Sequence, residues 1–217
     1  MHRLVAAPPV IDVVVPARDH AASLAPLLRD LPQRLLRSVV VVDRASSDRT
    51  AEIARDLGAL VLREPTGGYG AACLRAQHHF SSLPRVPDVV VFIPGDRPSA
   101  ASAITSLVEP LHDRSIELVL GIEPGRTRVG EKIITGLIDT IYSHRWSGVG
   151  PVRAMRFPAL IALGMSDRGP GWDVEMLVRA VKLGLSCDEV DLPGQAHRTQ
   201  RAFGRALIHI LRHATMR

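Results

Sequence analysis

Short apolar runs rich in β-branched residues recur along the chain, separated by stretches of helical periodicity. Val10 to Val15, Val39 to Val42, Ala59 to Leu62, Val89 to Ile93 and Leu118 to Leu120 are apolar without alternation, the pattern of strands buried on both faces. Between them Ser23 to Leu31, Thr50 to Leu57, Ala71 to Phe80 and Ser99 to His112 read as helices. Ser47 or Asp48 is placed to cap the second, and Pro98-Ser99 marks the start of the fourth. This order predicts an α/β fold with a mostly parallel, doubly wound central sheet flanked by helices.

Two amphipathic segments follow. Lys132 to Trp146 gathers Ile133, Ile134, Leu137, Ile138 and Ile141 on one helical face, as core packing or a partner interface requires. Phe203 to Arg217 sets Phe203, Leu207, Ile210 and Leu211 against Arg201, Arg205, Arg212 and Arg217, so 197–217 reads as a basic amphipathic C-terminal helix. Such a helix docks on its own domain or lies on an anionic membrane face.

Composition narrows the class. A chain of 217 residues with 46% hydrophobic and 23% charged residues has the length and balance of one globular domain. All of the 27 basic residues except Lys132 and Lys182 are Arg, which suits phosphate ligands or an anionic surface, although a coding bias toward Arg explains it equally well. Aromatics are only 4% and no basic stripe interleaved with them occurs, so nucleic acid is not an expected partner. Cys73 and Cys187 lack metal-ligand spacing and read as isolated thiols in a reducing compartment. The first residues carry Pro8, Pro9 and Asp12 where a signal peptide needs an unbroken apolar core, and no apolar run is long enough to span a bilayer. A cytoplasmic protein is expected, with the basic C-terminal segment suiting peripheral contact with the inner membrane face.

Ligands of doubly wound sheets bind beyond the carboxyl ends of the strands. There the sequence places Pro16-Ala17-Arg18-Asp19-His20, Asp43-Arg44-Ala45-Ser46-Ser47-Asp48 and Pro94-Gly95-Asp96-Arg97. No glycine follows the first strand, which rules out the GxGxxG dinucleotide fingerprint, and no P-loop is present. Gly67-Gly68-Tyr69-Gly70 opens a helix, where bare amides hold an anion or simply form a tight turn.

VVVPARDHAASLAPLL, VVVVDRASSDRTAEIARDLGALVLREPTGGYGAACLRA, VVVFIPGDRPSA, GPVRAMR and GWDVEMLVRAVKLGLSCDEVDLP follow one another in the order and spacing of family-2 glycosyltransferases. Over about residues 10 to 193 the chain resembles the bacterial members of that family that are similar to dolichyl- and polyprenyl-phosphate sugar synthases. The resemblance implies a Rossmann-like GT-A sandwich forming a single domain over 1–217. It also implies inverting transfer of a sugar from a nucleoside diphosphate sugar to an acceptor such as a lipid phosphate at the membrane surface. By the family pattern Pro16, Ala17, Asp19, Asp43, Arg44, Gly67, Gly68, Gly70 and Asp96 contact the nucleotide sugar. Asp96 matches the last acid of an Asp-x-Asp motif and would hold Mg²⁺ or Mn²⁺ on the diphosphate. Arg153, Trp172 and Arg198 fall in the acceptor region, and Glu175 matches a helical Glu that orients the site or acts as a base.

Several matched positions depart from the pattern. Arg44 and Pro94 stand where the family has acids, Gly121-Ile122-Glu123 replaces Gly-Ser-Arg, Gly148 replaces an Asp, and 198–203 lacks the Arg-x-Gly-x-Ser-Lys stretch. Two readings of the donor site follow. In one, Asp96 keeps a metal with His197 or water completing it. In the other, Arg18, Arg44 or Arg97 neutralises the diphosphate directly. The same departures keep a non-catalytic nucleotide- or partner-binding relative in view.

Overall fold

A computed structural model describes residues 8–123 and 129–192. The order is β1 (Ile11–Ala17), α1 (Ala21–Asp30), β2 (Ser38–Asp43), α2 (Thr50–Asp56), β3 (Leu60–Arg63), α3 (Tyr69–Ser81), β4 (Val89–Phe92), α4 (Ile104–Val108), β5 (Leu118–Ile122), α5 (Val129–Tyr142), β6 (Val152–Arg156), α6 (Phe157–Leu163), α7 (Trp172–Lys182) and β7 (Cys187–Asp191). The strands form one sheet in the order β3-β2-β1-β4-β6-β5-β7. Only β6 runs antiparallel, pairing with β4 and β5.

Alternation within the buried strands divides the core into two layers. Val14, Val40, Val42, Phe92, Leu120 and Met155 face the side covered by α3, α5 and α7. Val13, Val15, Val41, Val91, Val119 and Ala154 face Leu24 and Leu27 of α1 and Ile104 and Leu107 of α4. Each such aliphatic side chain contributes roughly 1.5–3 kcal/mol by leaving water, so the unbroken apolar runs cost nothing on either face. A polar exception is Asp12 inside β1, which is fully enclosed and held by Arg37 Nε at 3.0 Å and Ser38 Oγ at 2.9 Å.

Two expectations need correcting. Ser99 to His112 is not one helix: 3₁₀ turns over Pro98–Ala103 and Glu109–His112 flank the short α4, and α4 stops where the Pro110 ring removes an amide donor that a continuing α-helix needs. The apolar face foreseen around Lys132 to Trp146 also divides. Ile134 and Ile138 are buried, whereas Ile133 and Ile141 are 53% and 41% exposed. Residues 197–217, including the expected basic helix, lie outside the described residues, and among those described no helix is long and apolar enough to cross a membrane.

Candidate functional site

The winding direction reverses between β1 and β4, since β2 and β3 lie on one side of β1 and β4 on the other. Parallel strands that part in this way leave a crevice at their carboxyl ends. Its walls are the loop after β1, Arg18-Asp19-His20, and the loop after β4, Pro94-Gly95-Asp96-Arg97. They touch closely: a Cβ added at Gly95 would stand 2.8 Å from His20 Nδ1 and 3.1 Å from Ala17 Cβ. The Gly95 amide donates to Pro16 O at 3.1 Å, and Ser23 Oγ donates to Gly95 O at 2.8 Å. Burial lowers the His20 pKa against the opposing pull of Asp96, and the imidazole packs between the two loops.

The loops after β1 and β2 are tied to each other. Asp19, in the left-handed region at φ 54°, accepts the Ser47 amide at 2.7 Å and its hydroxyl at 3.0 Å. Its own amide donates to Ser46 Oγ at 3.0 Å. Asp48 accepts the first amide of α1, Ala21, at 3.0 Å and that of α2, Thr50, at 2.9 Å. The Asp19 carboxylate thus fastens the β2 loop through Oδ1, while 45% of its side chain stays exposed. Asp43 is buried at the end of β2 and accepts the Ser46 amide at 3.1 Å, while Pro16 and Ala17 form the enclosed floor.

Arg44 follows Asp43, its amide bonded to Ala17 O at 2.9 Å. Its side chain is half-buried, and Nε is enclosed without an acceptor. Burial and then Arg18 lower its pKa; Cys73 and Tyr69 of α3 are the other groups acting on it, and no carboxylate is among them. Asp96 is the inverse case, partly exposed and without a hydrogen bond or ion pair to any described residue. Its neighbour Arg97 is ion-paired to Glu123, both of them largely enclosed.

The glycines after β3, Gly67, Gly68 and Gly70, make room for other parts of the protein. A Cβ on Gly70 would lie 2.0 Å from Asp167 O, one on Gly68 2.6 Å from Arg168 O, and one on Gly67 2.1 Å from Ala71 Cβ. The amides of Gly70 and Ala71, at the start of α3, donate to Gly169 O and Arg168 O at 3.0 Å each. These two amides are therefore spent on the 167–169 loop and are not available to an anion.

That loop is fixed in turn by Glu175. Its carboxylate, fully enclosed, accepts the Ser166 amide at 3.1 Å, the Ser166 hydroxyl at 2.7 Å, the Asp167 amide at 2.7 Å and Arg179 Nε at 2.9 Å. Burial pushes its pKa up, yet these donors and Arg179 outweigh burial and leave it below the ordinary glutamate range. Committed to these donors, the Glu175 carboxylate positions the 166–169 segment.

Arg153 and Trp172, expected in the acceptor region, both have 0% exposure. Trp172 packs on Phe92 with ring centroids 6.2 Å apart, so it anchors α7 and presents no stacking face. Arg153 Nη2 lies 3.0 Å from Asp173 Oδ1 and donates to Val149 O at 3.0 Å, and Nη1 reaches Met176 Sδ at 3.3 Å. The guanidinium thus lies beneath the surface, and Asp173, with 19% of its side chain exposed, stands above it. Burial raises the Asp173 pKa, opposed by Arg153 and Arg97. Sequence reading passed over Asp173 in favour of its neighbours Trp172 and Glu175; an acid in the first turn of α7 was the available signal. Arg198 lies outside the described residues.

Among the described residues the chemistry available at this edge is therefore one unpaired carboxylate, Asp96, a second partly open carboxylate, Asp173, and the unpaired cation Arg44. Among the described residues no three His, Cys, Asp or Glu side chains cluster as a metal site. A groove of about 740 Å³ lined by Pro8, Pro9, Leu35, Val108 and His112 lies at the opposite, amino ends of the strands.

Residues 12–144 match the model of glycosyl transferase family 2. An uncharacterized glycosyltransferase of Mycobacterium tuberculosis is 32% identical over 190 residues, covering 84% of each chain. The glycosyltransferase AglJ of Haloferax volcanii is 25% identical over 187 residues, 82% of this chain and 60% of that protein. Among solved structures, glucosyl-3-phosphoglycerate synthase from Mycobacterium tuberculosis in complex with Mn²⁺, UDP-glucose and phosphoglyceric acid matches with a TM-score of 0.80 at 23% identity, over 95% of this chain and 80% of that one. Another crystal structure of the same synthase holds Mg²⁺ and UDP.

Proposed function

The chain belongs to glycosyl transferase family 2, and from that premise we propose that it transfers a sugar, with inversion, from a nucleoside diphosphate sugar bound across the carboxyl ends of β2, β1 and β4. The unpaired Asp96 at the β1/β4 switch point carries this reading. One carboxylate fits Mg²⁺ or Mn²⁺, because such ions take their remaining ligands from diphosphate oxygens and water. Bound there, the ion would neutralise charge on the departing diphosphate. Pro94 offers no ligand, so Asp96 is the protein's contribution among the described residues.

The remaining residues shape the pocket. Asp43 and the Asp19-Ser47 tie hold the β2 loop, and Glu175, through the 167–169 loop, holds the start of α3. Asp173 is the carboxylate placed to orient an acceptor hydroxyl, and a phosphate acceptor, already an anion, requires no base. One sheet running through the described residues supports a single glycosyltransferase domain. A phosphate-bearing acceptor, polyprenyl phosphate at the membrane surface above all, is the proposed class; the structural relative was crystallised with the phosphorylated acid phosphoglyceric acid.

The test is a panel of UDP-, GDP- and other nucleotide sugars with Mg²⁺ or Mn²⁺, offered with polyprenyl phosphate or small phosphorylated acids. Turnover that Asp96→Ala abolishes supports the proposal. If no donor binds or is hydrolysed, the proposal is lost, and binding without turnover points to a non-catalytic relative.

A further inference from the structure

Among the described residues Arg44 is a half-buried cation with no counter-charge. Three of the arginines that sequence alone offered to the diphosphate can be separated. Arg97 is committed to Glu123, and both side chains are largely enclosed. Arg18 is well exposed and only 3.8 Å from Asp19, itself exposed, so it is a screened surface charge. Arg44 differs from both. Its amide is pinned to Ala17 O at 2.9 Å, which fixes where the side chain starts, and its Nε is enclosed with no acceptor. A guanidinium partly removed from water carries a desolvation cost that proteins ordinarily offset with a carboxylate or carbonyl. Here the groups around it are a second arginine, Arg18, the Tyr69 and Cys73 side chains at the start of α3, and His20 across the floor. None of them is a carboxylate.

The missing partner is an acceptor carrying negative charge, and the place is the strand-end surface proposed for the donor. Resting on that proposed function, we propose that Arg44 grips the diphosphate of the nucleotide sugar, supplying as a fixed guanidinium fork part of the neutralisation that the single carboxylate Asp96 cannot secure through a metal alone. A planar fork with several donors matches phosphate oxygens bidentately. Arg44 and Asp96 then serve the same group from opposite ends, one by direct charge and the other by holding a cation. The acceptor edge of a base is the alternative source of the same hydrogen-bonding chemistry.

Titration calorimetry on wild type, Arg44→Gln and Arg44→Lys with uridine, guanosine, UDP, GDP and inorganic pyrophosphate, each with Mg²⁺ and with EDTA, separates these sources. The expected result is that Arg44→Gln weakens UDP or GDP by roughly ten- to hundredfold and leaves the nucleosides unchanged. EDTA should weaken the wild type only in part, and Arg44→Lys should recover part of the loss. Because no described residue bonds to the Arg44 side chain, Arg44→Gln should melt no lower than wild type, which a structural role for Arg44 would contradict. Unchanged diphosphate affinity in Arg44→Gln overturns the inference while leaving the glycosyltransferase reading intact. Equal losses for nucleoside and diphosphate also overturn it, in favour of base reading. No binding of any nucleotide by wild type overturns both.

Discussion

Glu175 accepts the backbone amide of Asp167 at 2.7 Å, and through that bond a residue on α7 governs the start of α3, far from it in sequence. The 167–169 loop passes the constraint on, since Gly169 O and Arg168 O receive the amides of Gly70 and Ala71. Glu175→Ala leaves the Ser166 and Asp167 amides and Arg179 without their acceptor. Losing a buried, charged hydrogen-bonding hub costs about 3–5 kcal/mol, and Glu175→Gln, which keeps one carbonyl oxygen, should cost less. Urea unfolding of the three proteins should rank wild type, Gln and Ala in that order. Donor affinity should fall with the same order, because the α3 start loosens.

The same carboxylate sets an acid limit on stability. Its pKa is lower in the folded chain than in the unfolded one, so its contribution is complete above the ordinary glutamate value and is lost as pH falls through the folded value. Asp173, raised by burial, has the opposite sign: its contribution is greatest in acid and declines as pH rises toward its folded value. Melting temperatures followed from about pH 7 to pH 3 should drop steeply for wild type and less steeply for Glu175→Gln. Parallel curves would show that Glu175 is not the controlling group.

The glycine contacts make a steric prediction. Gly70→Ala places a methyl 2.0 Å from Asp167 O, a backbone atom that cannot swing aside. Overpacking of this kind costs about 1–3 kcal/mol. Gly136→Ala, on the exposed side of α5 with nothing within 4 Å, should instead leave stability unchanged or raise it slightly, because alanine is the better helix former. Thermal unfolding of the pair checks both signs at once.

These residues also mark how far sequence reading reached. The unbroken apolar runs of β1, β2 and β4 were legible because both faces of a central strand are buried, a condition that composition alone records. β6 was not, because Arg153 interrupts VRAMR, and tertiary contacts with Asp173 and the Val149 carbonyl make an arginine acceptable inside the sheet. β7 is an edge strand reading CDEVD, so half its positions face water and no apolar run forms. The glycines at 67–70 announced a close backbone approach, yet whether a ligand or the chain itself approaches depends on the 167–169 loop. Asp96 was placed by its position after β4, and its lack of a partner is visible only in three dimensions.

Asp96 makes the cleanest separation of function from stability. No described residue bonds to its carboxylate, so Asp96→Ala should melt within about 0.5 kcal/mol of wild type. Activity should fall roughly a hundredfold or more, the usual scale for removing a group that stabilises developing charge. The enhancement of UDP or GDP binding by Mg²⁺ or Mn²⁺ should vanish in the same variant. Metal-dependent binding that survives in Asp96→Ala would place the ion elsewhere.

The buried pair of Arg153 and Asp173 predicts an asymmetry. Asp173 keeps some contact with water and can be hydrated if its partner leaves, whereas Arg153 is fully enclosed and cannot. Asp173→Ala therefore strands a buried cation, for which about 3–5 kcal/mol is expected. Arg153→Met fills the same space with apolar atoms and leaves a carboxylate that can turn outward, so it should cost distinctly less. Combining the two should recover much of the Asp173→Ala loss, because the stranded charge is gone, and this non-additivity is what a double-mutant cycle measures. Urea denaturation of the four proteins provides the cycle. If Arg153→Met proves the more damaging single change, the guanidinium is holding the Val149 carbonyl more strongly than it is being held by Asp173, and the loop before β6, not the ion pair, is the element that depends on it.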